Sequence, residues 1–265
     1  MLLREVRIFF TALGFFTRMP VPAWVGYDPD WLAAAPRYLP LVGLLVGLVG
    51  GLVTEVAAVV IHSWVAIVLG MIATVWLTGA LHEDGFADAC DGFGGGWDRT
   101  QVLAIMKDSR IGSYGVVGLV LLLLLKYQAL QTVDGDVELF DGAAIEGISA
   151  LLPALVVAHG VSRLAVVGVM ASLDYARTED SRASSLAGRP HIGSLVMATV
   201  CGLLPCLWLP VSRVGVALLL VLLATLAARR YFRRRIGGYT GDCLGAVQQV
   251  TEVVFYVGLL CDFTW

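Results

Sequence analysis

A short acidic stretch, HEDGFADACDG at residues 82–92, contains four carboxylates in an otherwise apolar chain. Asp84, Asp88 and Asp91 are spaced i, i+4 and i+7, so on a helix they lie along one face. Like charges at this spacing repel each other, and nearby lipid increases the cost. Mg²⁺ relieves such repulsion, because it prefers carboxylate oxygens together with water and substrate phosphate. The spacing therefore predicts a Mg²⁺ site, and a solvated acidic loop is the alternative.

The segment IMKDSRIGSYG at residues 105–115 adds groups that suit a phosphate. Its two cations and a hydroxyl can bind phosphate oxygens, and Asp108 is a candidate base. The alternative is the ordinary basic edge of a transmembrane helix. The candidate phosphate ligands are Lys107, Ser109, Arg110, Arg18 and Arg37.

A second acidic position, Asp242, lies in the stretch GGYTGDCLGAVQQVTE near the end of the chain. Gly238, Gly241 and Gly245 flank it, so another backbone can pack closely against this segment. We expect Asp242 to face the acidic helix as a fourth metal ligand, with Gln249 on the same side. A helix N-cap is the alternative role for Asp242.

The composition of the chain indicates the type of fold that positions these acidic and basic residues. The chain is 58% hydrophobic and 15% charged, with a mean hydropathy of +0.82, whereas about a quarter of the residues in a soluble domain are charged. We therefore expect an all-α polytopic membrane bundle that forms a single membrane-embedded catalytic domain over residues 1–265. Apolar segments of about 20 residues predict seven transmembrane helices. They are residues 40–61, 63–80, 112–131, 146–171, 193–212, 214–230 and 243–262.

Two further segments are predicted to lie outside these spans. Residues 1–39 form a cytoplasmic or interfacial segment, because IFFTALGFF is too short to cross and ends at RMPVP. Residues 81–111 form the cytoplasmic acidic active-site segment. With the N-terminus inside, nearly all Lys and Arg fall on the cytoplasmic side, and the acidic loop 132–147 falls outside. We expect a multi-pass protein of a bacterial or archaeal cytoplasmic (inner) membrane, with its site facing the cytoplasm.

Net charge and short motifs exclude several classes of function. A net charge of −3 gives no reason to expect a nucleic-acid partner. The five cysteines contain no CxxC pair, which favours a packing role. No GxxxxGK[ST] or GxSxG motif is present, which argues against an ATP-hydrolysing motor and a serine hydrolase. Clustered carboxylates, cations and glycines favour phosphoryl transfer from a nucleotide-activated donor. The sequence does not determine the oligomeric state, and a homo-oligomer is one alternative.

Several polar residues fall inside the predicted spans, and His159, Arg163 and Lys126 are among them. His159 and Arg163 are four residues apart, and an Arg at membrane depth needs a partner or a substrate. A structural pair with an acid of a neighbouring helix, such as Glu252, is the preferred interpretation. Lys126 follows a run of leucines and is expected to extend to the outer interface.

Five stretches of the chain resemble the successive motifs of the cobalamin synthase family, also called adenosylcobinamide-GDP ribazoletransferases. They occur in the family's order and span nearly the whole chain. In the pattern HxDGxADxxDG, Glu83 and Cys90 occupy variable positions. The stretches are ALGFFTRMPVP, RYLPLVGLLVG, TGALHEDGFADACDG, IMKDSRIGSYGVVGLVLLLLLK and GGYTGDCLGAVQQVTE.

The resemblance implies a membrane-integral, Mg²⁺-dependent enzyme of vitamin B12 nucleotide-loop assembly. Adenosylcobinamide-GDP would donate its cobinamide phosphate to α-ribazole or α-ribazole 5'-phosphate, and GMP would leave. The expected ligands of one or two Mg²⁺ ions are Asp84, Asp88, Asp91 and Asp242. One of these carboxylates is expected to take the proton of the attacking ribose hydroxyl, with Asp108 or His82 as alternatives. Lys107 and Arg110 would steady the phosphates.

Two other functions remain open from the sequence. A CDP-alcohol phosphotransferase of lipid synthesis also uses a carboxylate-rich Mg²⁺ site, but its DGxxAR pattern is replaced here by DGFADACDG. A transporter or channel would place its carboxylates nearer the bilayer midplane, on broken helices. Ion uptake by liposomes would favour transport, and GMP release that depends on both substrates would favour the synthase.

Overall fold

The computed structural model describes residues 2–135, 149–177 and 189–261. Within these ranges the regular elements are helices and no strand is formed, which confirms the all-α prediction. Most of the predicted external loop 132–147 lies outside the described residues. The helices are α1 (Leu2–Phe16), α2 (Pro29–Ala34), α3 (Leu39–Ala58), α4 (Ser63–Thr78), α5 (Leu81–Gly95), α6 (Arg99–Ile105), α7 (Ser113–Gly135), α8 (Leu151–Ser172), α9 (Ile192–Leu203), α10 (Val211–Arg235) and α11 (Gly241–Leu259).

The polytopic membrane architecture is also confirmed. By length and composition, four helical stretches of the described chain can cross a membrane: Pro29–Ala58, α7, α8 and α10. The helices α4 and α5 meet that criterion only as a pair, which is bent by 87°. The described chain thus has four such spans, or five with the bent pair, whereas seven were predicted. The difference arises because α9 is short and α11 carries polar residues that lower its hydropathy.

Helix α8 is the central helix of the bundle. It is buried along most of its length and packs against α3, α9, α10 and α11. Helix α11 in turn packs against α5 and α10. By contrast, α7 and α10 turn many apolar side chains outward, as expected of helices that face lipid.

A sharp bend between α4 and α5 sets the direction of the acidic helix. Gly79 and Ala80 adopt left-handed backbone conformations, with φ of 69° and 59°. Glycine takes this conformation freely, whereas a residue with a side chain does so at some cost. The two residues turn the chain through 87°. Glu83 and Asp84 then occupy the first turn of α5, where negative charge is favoured by the helix dipole.

The polar residues within the bundle pair with one another. Lys126 does not reach an outer interface as predicted: it is 2% exposed, and its Nζ lies 2.6 Å from Glu252 Oε1. His159 Nε2 lies 3.4 Å from the same oxygen, which confirms the predicted structural pairing with Glu252. Arg163 joins through His159, donating to its Nδ1 at 3.0 Å. In low dielectric an unpaired charge is costly, so Lys126 is stabilised best by a buried carboxylate.

Candidate active site

Close packing of α5 against α11 brings the two acidic segments together. A Cβ added at Gly85 would lie 3.1 Å from Asp242 Cα, and one added at Gly245 would lie 3.0 Å from the His82 carbonyl oxygen. Only glycine allows backbones this close, so the prediction that Asp242 faces the acidic helix is confirmed. The N-cap of α11 is Thr240, whose Oγ1 accepts from the Cys243 N–H at 3.2 Å. The alternative N-cap role for Asp242 is therefore wrong.

The aspartates of α5 form a stripe along one side of the helix. Asp84 is exposed, Asp88 is half-buried and Asp91 is buried, so the stripe runs from the surface inward. Asp88 is close enough to Asp84, Asp91 and Asp242 for their negative charges to interact. The structure thus groups the four carboxylates that the sequence selected.

Asp91 connects two helices. Its Oδ2 accepts from the Gly112 N–H at 2.6 Å, and its Oδ1 accepts from the Gly115 N–H at 2.8 Å. These amides lie at the start of α7, where backbone donors lack partners within the helix. Both oxygens of Asp91 therefore accept hydrogen bonds from the start of α7, whereas the sequence predicted that Asp91 binds a metal ion.

A cavity of about 670 Å³ opens beside the acidic helix. Its polar lining residues are Tyr27, His82, Asp84, Arg177 and Asp242. Apolar side chains of α1, α2, α3, α5, α8 and α11 complete the lining. This volume falls within the usual range of small-molecule sites.

Arg177 lines the cavity, although the sequence indicated for it only a place on the cytoplasmic side. Its Nη2 lies 2.7 Å from Asp242 Oδ2. Backbone hydrogen bonds hold its segment in place: Tyr239 N–H donates to the Asp174 carbonyl at 3.0 Å, and Ala176 N–H donates to the Tyr239 carbonyl at 2.8 Å. No spacing motif could indicate this contact, because Arg177 and Asp242 are 65 residues apart.

The surroundings of Asp242 act on its carboxyl group in opposite directions. Burial raises the pKa of Asp242, while the Arg177 guanidinium and the Thr240 hydroxyl act to lower it. Asp84 adds a further unfavourable negative charge. A cation placed between these carboxylates would favour their charged forms.

The basic segment after α6 lies apart from the cavity lining. Arg110 Nη2 pairs with Asp108 Oδ2 at 2.6 Å on the exposed surface. Hydrogen bonds from Arg110 lower the pKa of Asp108 to about 2. The described cavity-lining residues include none of Lys107, Asp108, Ser109 and Arg110.

The two N-terminal arginines have structural surroundings. Arg37 Nη1 lies 3.2 Å from Glu5 Oε2, which ties the start of the first span to α1. The Arg18 side chain lies against the α4–α5 bend, where a Cβ on Gly79 would come within 2.6 Å of its Nε. Neither arginine is among the described residues that line the cavity.

His82 and Glu83 occupy different surroundings at the start of α5. His82 is buried and lines the cavity. Glu83 accepts a hydrogen bond from Gln249 Nε2 at 2.9 Å. Gln249 thus points toward α5, as its spacing from Asp242 predicted, and Glu83 links two helices although the sequence assigned it no role.

Comparison with known proteins identifies the family. The family profile described as Cobalamin-5-phosphate synthase matches residues 8–260. The chain belongs to this family. A Leptothrix cholodnii protein named adenosylcobinamide-GDP ribazoletransferase is 48% identical, over 98% of this chain and 97% of its own length. A Shewanella frigidimarina protein of the same name is 44% identical, over 97% and 95%.

The family assignment confirms the resemblance seen in the five sequence motifs. No solved structure matches this chain. In this chain the two aspartate-bearing motifs of the family meet where α5 packs against α11.

The described carboxylates of this chain do not by themselves form a complete metal-binding site. Among the residues that the structure describes, no three carboxylate, imidazole or thiol groups lie close enough together to hold a metal ion. Asp91 is bound to backbone amides, and Asp242 is bound to Arg177. The donors are nevertheless the oxygen ligands that Mg²⁺ prefers, since this ion usually takes one or two carboxylates and completes its shell with water and substrate phosphate.

Proposed function

We propose that this chain transfers the adenosylcobinamide phosphate group from adenosylcobinamide-GDP to α-ribazole or α-ribazole 5'-phosphate, and releases GMP. The observation that carries this proposal is the meeting of the two aspartate-bearing motifs with Arg177 in the lining of the cavity. Membership of the family and the names of the relatives support it, because those names contain both the donor and the acceptor.

The reaction requires one bond to form and one to break. A ribose hydroxyl oxygen of the acceptor attacks the phosphorus that carries cobinamide. The bond from that phosphorus to the bridging oxygen breaks, and GMP leaves with this oxygen. We assign the hydroxyl proton to Asp84, because Asp84 lines the cavity whereas Asp108 is paired with Arg110 outside it. Arg177 can hold the phosphates, because a guanidinium binds phosphate oxygens in pairs.

We further propose that Mg²⁺ is required. Asp88 and Asp242 would hold the ion together with the pyrophosphate of the donor. When bound, Mg²⁺ neutralises negative charge on the pyrophosphate and the leaving group. The acidic groups gathered around Asp88, which repel one another without a cation, support this proposal.

The decisive experiment uses purified full-length protein in lipid nanodiscs. Adenosylcobinamide-GDP and α-ribazole are supplied together and separately, with Mg²⁺ or with EDTA, and GMP and the corrinoid product are measured. We expect product only when both substrates and Mg²⁺ are present. Absence of product in every lipid tested would overturn the transferase proposal, and full activity in EDTA would overturn the metal proposal alone.

We also propose that the site faces the cytoplasm. The basic end of α10 supports this orientation, because Arg235 Nη2 donates to the Gly96 carbonyl at 2.6 Å and so lies beside the end of α5. Basic residues favour the cytoplasmic side. In a cysteine-free background, Trp97→Cys should react with an impermeant maleimide in inverted vesicles but not in spheroplasts. Val60→Cys, which is exposed beyond the other end of α3, should show the reverse.

The alternative functions are less well supported. The family profile and the named relatives favour neither a lipid phosphotransferase nor a transporter. Transport would be indicated by ion flux into liposomes without GMP release. A lipid phosphotransferase would release CMP from a CDP-alcohol in the same nanodiscs.

A further inference from the structure

The outward face of α10 changes from leucine to arginine near the end of the helix. One row along this face, with a residue at every fourth position, consists of Leu222, Leu226, Arg230 and Arg234. Leu222 and Leu226 are 54% and 45% exposed on a helix that can cross a membrane, so they face lipid. Arg230 follows Leu226 by about 6 Å along the helix axis. The arginines of this row therefore lie where α10 leaves the hydrocarbon.

Three arginines at this end have no counter-charge among the described residues. Arg230, Arg233 and Arg234 are exposed, and the ion pairs formed between described residues include none of them. The next residue, Arg235, is held by the protein itself. Its Nη2 donates to the Gly96 carbonyl at 2.6 Å, and its guanidinium carbon lies 5.8 Å from the centre of the Tyr231 ring. Arg235 thus anchors the end of the helix, and its three neighbours are open to an anion from outside.

An exposed tryptophan lies next to this end of α10. The hydrogen bond from Arg235 ends at Gly96, and Trp97 is the following residue. The backbone N–H of Trp97 donates to Gln101 Oε1 at 3.0 Å, but the residue is 92% exposed. Tryptophan is favoured at the headgroup level of a membrane, because its ring has a large apolar surface and one polar N–H. Trp97 and the arginines together fit the boundary between lipid and water.

We propose that Arg230, Arg233, Arg234 and Trp97 form a binding surface for the headgroups of anionic phospholipids. This arginine surface goes beyond the transferase proposal and does not depend on it. Guanidinium groups bind phosphate oxygens, and basic residues beside a membrane span are attracted to anionic lipid. The acyl chains of the same lipid lie against the leucines that precede the arginines. This continuity favours a lipid over an acidic protein, which would contact the arginines without the leucines.

The arginine surface is separate from the candidate active site. The described residues that line the cavity include none from α10. The contact of Arg235 with Gly96 reaches only the C-cap of α5, whereas Asp84 lies in the first turn of that helix. Lipid binding can therefore be measured without substrate and without turnover.

A titration with phosphatidylglycerol tests the proposal. Purified full-length protein in detergent is titrated with this lipid, and the bound molecules are counted by native mass spectrometry. Combined Arg230→Gln and Arg234→Gln should weaken binding about 30-fold, since each arginine near anionic lipid contributes about fivefold. Combined Arg110→Gln and Arg189→Gln is the matched control. It removes the same charge from two exposed arginines that already pair with aspartates, and it should change the affinity less than about twofold.

Two comparisons distinguish a lipid from other anions. Phosphatidylcholine should bind the wild type and both variants alike, because its headgroup has no net charge. Inorganic phosphate at the same concentration should not displace phosphatidylglycerol, because it makes no contact with the leucines. Displacement by phosphate would assign the surface to a soluble anion and overturn the proposal. Equal binding of phosphatidylglycerol to the wild type and the Arg230/Arg234 variant would also overturn it and leave an acidic protein as the occupant.

A second measurement uses the wild-type protein in a bilayer. Nanodiscs contain the same small fraction of phosphatidylglycerol in phosphatidylcholine, and a matched fraction of one lipid or the other carries brominated acyl chains, which quench tryptophan fluorescence on contact. The contribution of Trp97 is the difference between wild type and Trp97→Phe. Brominated phosphatidylglycerol should quench it at least about twofold more than brominated phosphatidylcholine, because the arginines concentrate anionic lipid there. Equal quenching by the two lipids would contradict the proposal.

Discussion

At the residue scale, the carboxylates of the site differ in what surrounds them. Asp84 and Asp242 line the cavity, while Asp91 is bound to the amides that begin α7. Asp108 is paired with Arg110 on the surface. Aspartates in neighbouring motifs therefore have different surroundings and different partners.

This difference predicts unequal effects of matched Asp→Asn substitutions. Asp84→Asn removes the proposed base, so we expect kcat to fall about 100-fold or more. Asp108→Asn disturbs only an exposed ion pair, and we expect kcat to stay within about threefold of wild type. GMP release by the purified variants measures both. A larger loss in Asp108→Asn than in Asp84→Asn would reverse the assignment of the base.

Arg177 provides a second prediction at this scale. Arg177→Ala removes the guanidinium that faces the cavity, and losing a charged hydrogen bond to phosphate should raise KM for the donor about tenfold. Arg189→Ala is the control, because Arg189 forms an exposed pair with Asp174 at 3.0 Å. We expect Arg189→Ala to leave KM for the donor unchanged. Equal effects of the two substitutions would exclude a specific role for Arg177.

At the element scale, the site depends on the distance between α5 and α11. Gly85 and Gly245 allow the two backbones to touch, and the hydrogen bond from Gln249 to Glu83 joins the helices deeper in the bundle. The left-handed residues Gly79 and Ala80 direct α5 to this position. Helix packing, rather than any loop, thus sets the separation of Asp84 and Asp242.

Widening this contact should impair catalysis. Gly85→Val would force its side chain against the Asp242 backbone, and a displacement of about 1 Å can lower the rate about 100-fold. Gly215→Val on α10 is the control, since it makes the same substitution in a helix where an added Cβ meets open space. We expect kcat to fall at least tenfold in the first variant only. The result is measured in nanodiscs alongside thermal unfolding; equal activity of both variants would show that the close contact is dispensable.

At the scale of the whole molecule, a buried ion pair joins α7 to α11 across the bundle. Lys126 and Glu252 are both almost fully buried, and Gln248 and Tyr256 donate further hydrogen bonds to the carboxylate. Helix α11 therefore carries the cavity-lining Asp242 at its first turn and this polar contact farther along. The low hydropathy of α11 follows from this network.

Breaking one partner of this pair should be costly. Glu252→Gln leaves Lys126 buried without a counter-charge, and we expect a loss of about 3–5 kcal/mol in the free energy of unfolding. Lys126→Met combined with Glu252→Gln should lose less than the sum of the two single substitutions, because the double variant buries no unpaired Lys. Reversible unfolding in mixed micelles measures the cycle. Additive effects would show that the two charges are not coupled.

Much of the site could be predicted from local sequence. The spacing of Asp84, Asp88 and Asp91 specifies one helical face, because 3.6 residues per turn relates neighbours by local geometry alone. The apolar composition specifies a helical membrane bundle, because backbone groups in lipid must be satisfied within helices. The glycines around Asp242 indicated close packing, and the predicted contact of Asp242 with the acidic helix is confirmed.

Other partners across the bundle were decided only by tertiary structure. Lys126 was expected at an interface and instead pairs with Glu252, 126 positions away, and Arg177 meets Asp242 across 65 residues. The cavity lining combines side chains of α1, α2, α5, α8 and α11, which share no local pattern. The sequence by itself determined the membrane bundle, the acidic helix face and the family motifs. Which side chains face each other depends on how all the helices pack together. Contacts between segments that are far apart in the sequence produce no periodic pattern within any one segment.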